Sequence, residues 1–285
     1  MSVLTKPVKF KEALKKLAGL RPLQIALSSA QWASVPVDIR ESAFFTANVE
    51  SADVLSKLQG LLKKALGKAV EQSPRGKVLT VGSKSAFIDI MQPWMIRNGF
   101  ADDLPKGIPR GKRGIIPESQ DLGSARRLGL IFETQQRKAW GFGSMKLATD
   151  DRLVDAYPAW RFVRGGSVQE PRPDHKKHEG AVRLKSDQAF WIARNNPKFG
   201  GFGVPYGPWG FNSQMDVEEV PRSEAVKLGL IKEGQKISTK GPRFNEATRA
   251  SIRSMDPAIV GKLKKALGNK VEIVDGEIRI KKGDR

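Results

Sequence analysis

A chain of 285 residues, 39% hydrophobic and 28% charged, is long enough to bury a core without staples, as one large domain or two smaller ones. It has no cysteine, which excludes disulfides and thiolate metal sites and fits a reducing compartment or indifference to redox. Fifty Lys and Arg against 30 Asp and Glu leave a formal charge of +20 and a pI near 10.2, so a polyanion, nucleic acid first, is the expected neighbour; a solubility surface or an acidic protein partner explains the same excess more plainly.

The first residues predict a basic amphipathic helix. Phe10, Leu14, Leu17 and Ala18 fall at helical spacing, Lys9, Lys11, Lys15 and Lys16 occupy other faces, and Gly19 and Pro22 end it. It reads as an arm for a partner or DNA, or as a packed terminal helix. No apolar run here is long enough for a secretory signal, and no window approaches the ~20 residues that span a bilayer. Trp32 to Pro36 reads as an extended linker.

The strongest helix signal follows. Ser51 is a fitting N-cap, Asp53 sits in the first turn, and Val54, Leu55, Leu58, Leu61, Leu62, Ala65, Leu66, Ala69 and Val70 form one broad apolar face. A second helix is expected over 83–98, with Phe87, Ile90, Met91, Trp94 and Met95 inward and Pro93 as a kink or early end. Residues 101–118 form a Pro/Gly loop with a basic cluster at Lys106, Arg110, Lys112 and Arg113. Its glycines neither follow a strand nor end in Gly-Lys-Ser/Thr, which excludes a phosphate loop and leaves a solvated connection or a contact to a nucleic-acid backbone. Helix returns over 119–149, where Leu128, Ile131, Phe132, Gln135, Ala139 and Phe142 share a face.

Near the C-terminus, Pro221 opens a short helix that Gly229 closes, and residues 232–255 are basic and rich in turns. Asp256-Pro257 is an N-cap followed by a first-turn proline; that helix stops at Gly268, and Val271–Ile280 reads as a hairpin around Asp275-Gly276, with a basic tail at Lys281 and Lys282. The expected fold is α+β: a helical N-terminal half, an irregular core with short strands, and a C-terminal helix plus β-hairpin.

The specialised residues concentrate in 157–229, which holds both histidines, His175 and His178. If helical, they share a face. Pro171 and Pro173 suggest an extended approach, and Lys176 and Lys177 between them oppose a cation, so no metal site is expected. A phosphodiesterase reading would use His175 as acid or base with Arg172 and Asp174 beside it, and Arg161, Arg164 or Arg183 to hold phosphate. The structural reading is stronger: an Asp-His pair near arginines fixes loops through buried hydrogen bonds, while Trp160, Phe162, Trp191 and Trp209 fill a core made mostly of loops.

The order Tyr157-Pro158-x-x-Arg161-Phe162, Arg172-Pro-Asp-His175, Gly180, Asp187-x-x-Phe-Trp191, a Pro/Gly-rich run ending at Trp209 and Arg222-Ser-Glu-Ala-x-x-x-Gly229 resembles the phage Mu F-protein-like head morphogenesis family. The helical segments 43–66 and 125–146 are similar to the family's opening helix and to the helix before this motif, so the resemblance covers 42–230. It divides the chain into a basic arm (1–41), a head morphogenesis domain (42–230) and a small basic helix-hairpin unit (231–285). Carried over, the family's marked residues are Tyr157, Pro158, Arg161, Arg172, His175, Gly180, Asp187, Trp191 and Trp209. Where the family commonly carries Cys-Arg-Cys, this chain has Phe211-Asn-Ser-Gln-Met215, which favours a structural role over an enzymatic one. The resemblance implies a minor capsid protein of a tailed phage or prophage, without cofactor. It would be assembled in the host cytoplasm, bound to the portal inside the head and close to packaged double-stranded DNA. Major capsid or scaffolding proteins are further expected partners, and head assembly or DNA delivery the expected role. A nuclease or toxin-like enzyme, and a general nucleic-acid-binding protein, are the alternatives.

Overall fold

The structure, a computed structural model, describes residues 11–72, 81–101, 122–166, 170–196, 200–242 and 248–280. In chain order the elements are α1 (Lys11–Gly19), β1 (Arg21–Pro22), α2 (Ser29–Ala33), α3 (Val37–Ser42), β2 (Ala43–Phe44), α4 (Ala52–Gln72), α5 (Val81–Arg97), α6 (Ala125–Ala148), α7 (Asp151–Ala156), β3 (Ala159–Arg164), α8 (Pro173–His178), β4 (Val182–Leu184), α9 (Gln188–Ala193), β5 (Met215–Val220), α10 (Arg222–Lys227), β6 (Thr248–Ser251), α11 (Pro257–Leu267), a 3₁₀ turn (Gly268–Lys270), β7 (Val271–Val274) and β8 (Glu277–Ile280). Helices dominate and the strands form small separate sheets, an α+β fold. Among the described residues no helix is long and apolar enough to cross a membrane.

The chain forms two compact units, one of residues 1–136 with 245–285, the other of 137–244. In the first, Leu23, Ile25, Leu27, Val35, Ile39, Ala43 and Phe45 share a single core with Ile252, Ile259, Leu263, Ile278 and Ile280. The C-terminal helix and hairpin therefore do not stand apart: their apolar faces close over the segment that follows α1. The hairpin turns at Asp275 and Gly276, both with positive φ (53° and 73°), as a two-residue turn of this hand requires. A third strand, β6, which the turn-rich sequence does not announce, pairs with β8.

The expected linker at Trp32–Pro36 is instead helical on both sides. Ser28 and Gln31 form a capping box that starts α2, and Trp32 stacks on Phe45 at 4.1 Å, so packing overrides a stretch with little periodic signal. Ser51 caps α4, its hydroxyl accepting from the Val54 N–H at 3.3 Å. Val54, Leu55, Leu58 and Leu62 are buried, while the side chains of Leu66, Ala69 and Val70 lie outside the described residues. Helix α5 continues through Pro93 to Arg97 and buries Phe87, Met91 and Met95; Ile90 is 48% exposed, not inward. The i, i+4, i+8 stripe is narrower than the apolar content suggests.

The second unit is built on the antiparallel sheet β4–β3–β5. The central strand β3 pairs along its whole length with β5, Ala159 opposite Val220 through Arg164 opposite Met215. The short helices α8, α9 and α10 and the glycine-rich segment 200–214 complete it.

Candidate functional site

Alternation along β3 turns Trp160 and Phe162 into the interior. The backbone around them is closed by local bonds: the Pro158 carbonyl accepts from the Lys185 N–H at 3.0 Å, and Gly180, at φ 84°, donates to the Phe162 carbonyl at 2.7 Å. Asp187 caps α9, its Oδ1 accepting from the Phe190 N–H at 3.1 Å, and this sets Trp191 at the centre of the unit. Trp191 is fully buried and donates Nε1–H to the Leu184 carbonyl at 3.0 Å. Trp160, Phe162, Phe190 and Trp209 surround it at ring-centroid distances of 5.5, 6.3, 5.0 and 6.2 Å. Phe162 meets Trp209 edge-on at 5.0 Å.

Pro173 does not extend the chain; it occupies the first turn of α8, where its missing N–H costs nothing. The helix places His175 inward, 2% exposed, edge-on to Phe162 at 5.7 Å. Its Nε2 lies 3.3 Å from the Arg194 carbonyl, which has no proton to give, so Nε2–H is the donor. Burial lowers its pKa; the bond to Arg194 and the charge of Asp174 oppose this, and the charges of Arg172 and Arg194 add to it. Arg172, the N-cap residue of α8, donates its guanidinium to the Trp209 and Phe211 carbonyls. The Asp174 carboxylate receives Arg194 at 3.4 Å, and its backbone carbonyl lies 2.8 Å from His178 Nδ1. His175, Arg172 and Asp174 thus come together, but as ties between α8, α9 and the loop after Trp209. With the ring sealed beneath α8 and its N–H committed, the arrangement holds three segments in register and offers no open base to a substrate.

The surroundings match a known protein only distantly. No family model matches this chain, and no solved structure matches it. Over 201 residues it is 24% identical to "Putative capsid assembly protein F" of Escherichia phage Mu, a match that takes in 70% of this chain and 38% of that protein. The chain is similar to a phage capsid assembly protein. It spans well under half of that relative's length.

The other marked residues hold the same framework. Tyr157 ends α7, its N–H bonding the Leu153 carbonyl at 2.8 Å. Arg161 points to the opposite face of β3 and pairs with Glu224 of α10 at 2.5 Å and Glu218 at 3.7 Å. Where Cys-Arg-Cys is absent, hydrogen bonds fix the backbone: Gly165 N–H donates to the Gln214 carbonyl at 2.8 Å, and Arg137 to the Gln214 side chain at 2.8 Å. Among the described residues no group of three or more His, Asp or Glu is placed to hold a metal. The basic candidates Lys106, Arg110, Lys112, Arg113, Lys281 and Lys282 lie outside the described residues.

Sequence reasoning does not single out Lys185, Glu219 or Arg194. Lys185 is fully buried, donating to the Ala148 carbonyl at 3.1 Å and pairing with Glu219 at 2.6 Å, while the other oxygen of Glu219 receives Trp160 Nε1–H at 3.1 Å. Burial lowers the pKa of Lys185 and Glu219 opposes that shift. Met215, Val217 and Glu219 share one phase of β5, the phase that puts the Glu219 carboxylate within reach of Trp160 and Lys185, but Glu219 itself stays exposed and the strand pattern alone does not name its partner.

Proposed function

We propose that this chain is a minor capsid protein of a tailed phage or prophage, with residues 42–230 as its head morphogenesis module. It binds the portal on the inner side of the head, contacts packaged DNA, and serves head assembly or DNA delivery. The likeness to a capsid assembly protein along 70% of the chain carries the reading. Two physical features support it. The charge of +20 suits a protein that works among phosphates. The polar cluster at His175 is spent on internal hydrogen bonds, as an assembly module requires and a nuclease does not.

The test is a pull-down of the full chain with the portal protein of the same phage or prophage, together with mass spectrometry of purified heads. Retention on the portal and presence in heads are expected. Absence from both immature and mature heads sinks the proposal. A DNA-cleaving activity that His175→Ala abolishes, with the fold intact, would replace it with the enzymatic reading.

A further inference from the structure

Within 172–194 there are six Lys and Arg against three Asp and Glu. Each of the three carboxylates is engaged. Asp174 holds Arg194 at 3.4 Å, Glu179 holds Arg164 at 2.5 Å, and Asp187 caps α9. What remains is positive. Lys176, Lys177 and Arg183 are exposed and, among the described residues, none has a carboxylate within ion-pair distance.

The ring of Phe190 gathers this charge. His178, which follows Lys177 on α8, lies 5.8 Å from it, the Arg183 guanidinium 5.1 Å above it and the Arg194 guanidinium 4.6 Å. Arg183 spends one N–H on the Val182 carbonyl at 2.8 Å, which with the ring fixes the guanidinium while leaving the rest of its fork outward. Burial lowers the pKa of Arg194, the charge of Asp174 opposes this and that of Arg183 adds to it, so Asp174 answers Arg194 and leaves Arg183 beside it without a carboxylate of its own. A planar guanidinium held against an aromatic ring suits the bidentate geometry of phosphate oxygens, and the exposed lysines of α8 supply point charges for neighbouring phosphates.

We infer that Arg183, held against Phe190, and the exposed Lys176 and Lys177 of α8, whose His178 meets the same ring, form a contact surface for the phosphate backbone of double-stranded DNA. This rests on the DNA contact proposed above. The surface is expected to bind without sequence preference, through phosphate contacts and counter-ion release.

The experiment titrates the full chain with a short duplex of arbitrary sequence across salt concentrations. The comparison is with the triple variant Lys176→Gln, Lys177→Gln, Arg183→Gln and with a control triple on α11, Lys262→Gln, Lys264→Gln, Lys265→Gln. Near-UV circular dichroism reports the tryptophan cluster of each, and Lys177→Gln alone serves if the triple variant is misfolded. The slope of log affinity against log salt is expected to fall by about 0.9 for each phosphate contact removed, so by two to three in the first triple variant and by one in Lys177→Gln. The α11 control keeps the native slope. An unchanged slope in the first triple variant overturns this surface while leaving DNA contact in place. A native chain that shows no salt-sensitive binding removes the DNA contact itself. Loss of portal retention in the first triple variant, with DNA binding untouched, reassigns the patch to an acidic protein.

Discussion

The two compact units bury their interiors by different means. In the first, burial is spread over many aliphatic side chains of medium size, Leu23, Ile39, Leu263 and Ile278 among them, delivered by helices and a hairpin. In the second it is concentrated in a few large rings about Trp191, with Lys185, Arg194 and His175 enclosed beside them. Regular elements satisfy their own backbone and need only an apolar face. A segment such as 200–214 satisfies little by itself, so its fold depends on large side chains that reach several segments at once and on polar groups that bond stray carbonyls. The second unit is therefore expected to be the more brittle, with damage confined to single positions.

The sharpest break is Trp191→Ala. It removes a fully buried ring that touches Trp160, Phe162, Phe190 and Trp209, and with it the bond to the Leu184 carbonyl. A loss of about 3–5 kcal/mol is expected in urea unfolding. Near-UV circular dichroism should collapse while far-UV signal from the first unit survives; collapse of both together would contradict the division.

Next comes Gly141→Ala on α6. A Cβ there would lie 2.7 Å from the Gly207 carbonyl carbon and closer still to its oxygen, and 3.2 Å from the Tyr206 ring. Backbone cannot swing aside as a side-chain tip can, so the loop must shift, at a cost of about 1–3 kcal/mol. An unchanged unfolding midpoint would mean that the helix and loop are not held in this contact.

The buried pair gives a directional test. Glu219→Gln leaves the Lys185 ammonium enclosed with the Ala148 carbonyl, the Trp160 ring and a neutral amide. Because the Glu219 side chain is 44% exposed, solvent recovers part of the loss, and about 1–2 kcal/mol is expected rather than the full cost of a buried orphan charge. Adding Lys185→Met to that variant should restore stability, since the enclosed charge leaves with it. A double variant weaker than Glu219→Gln would show that Lys185 acts through its bond to Ala148 instead.

His175 adds a pH dependence of smaller size. Its unfolded pKa is near 6.5 and burial lowers the folded value. Between the two, the unfolded chain binds a proton that the folded chain refuses, so stability falls as pH drops through 6.5 and levels off below the folded value. The slope is at most about 1.4 kcal/mol per pH unit. The His175→Phe variant, compared with the native chain over the same range, should lack that component; identical slopes would mean that the imidazole is not sealed.

This contrast also explains what the sequence discloses. The capped, periodic elements were readable: Ser51 before α4, Asp256-Pro257 before α11 and Asp275-Gly276 in the hairpin each act within a few residues of themselves. Burial of Trp160, Phe162, Trp191 and Trp209 was readable too, because large rings rarely find another place. The partnership of the C-terminal helix with Leu23–Phe45 was not, since both faces are simply apolar and nothing local names their partner. Nor was Lys185 with Glu219, or the helical turns around Trp32, where the deciding contacts come from residues distant in sequence. At the His site the sequence favours a structural role without naming the partners; the hydrogen bonds that commit the ring depend on α9 meeting α8, which spacing alone does not encode.

The mildest test reverses the sign. Gly60 of α4 and Gly261 of α11 belong to the first unit, and a Cβ at either meets nothing within 4 Å. Neither has the positive φ that would make a side chain strained. Alanine there restricts the unfolded chain and favours the helix, so Gly60→Ala and Gly261→Ala are each expected to stabilise by about 0.5–1 kcal/mol. Gly141 is also a helical glycine, yet the same substitution is expected to destabilise there, because a loop backbone occupies the space a methyl group needs. Urea midpoints for the three variants therefore separate a helix whose glycine is incidental from one whose glycine admits another chain segment. Destabilisation at Gly60 or Gly261 would show that the first unit is packed as tightly against its helices as the second.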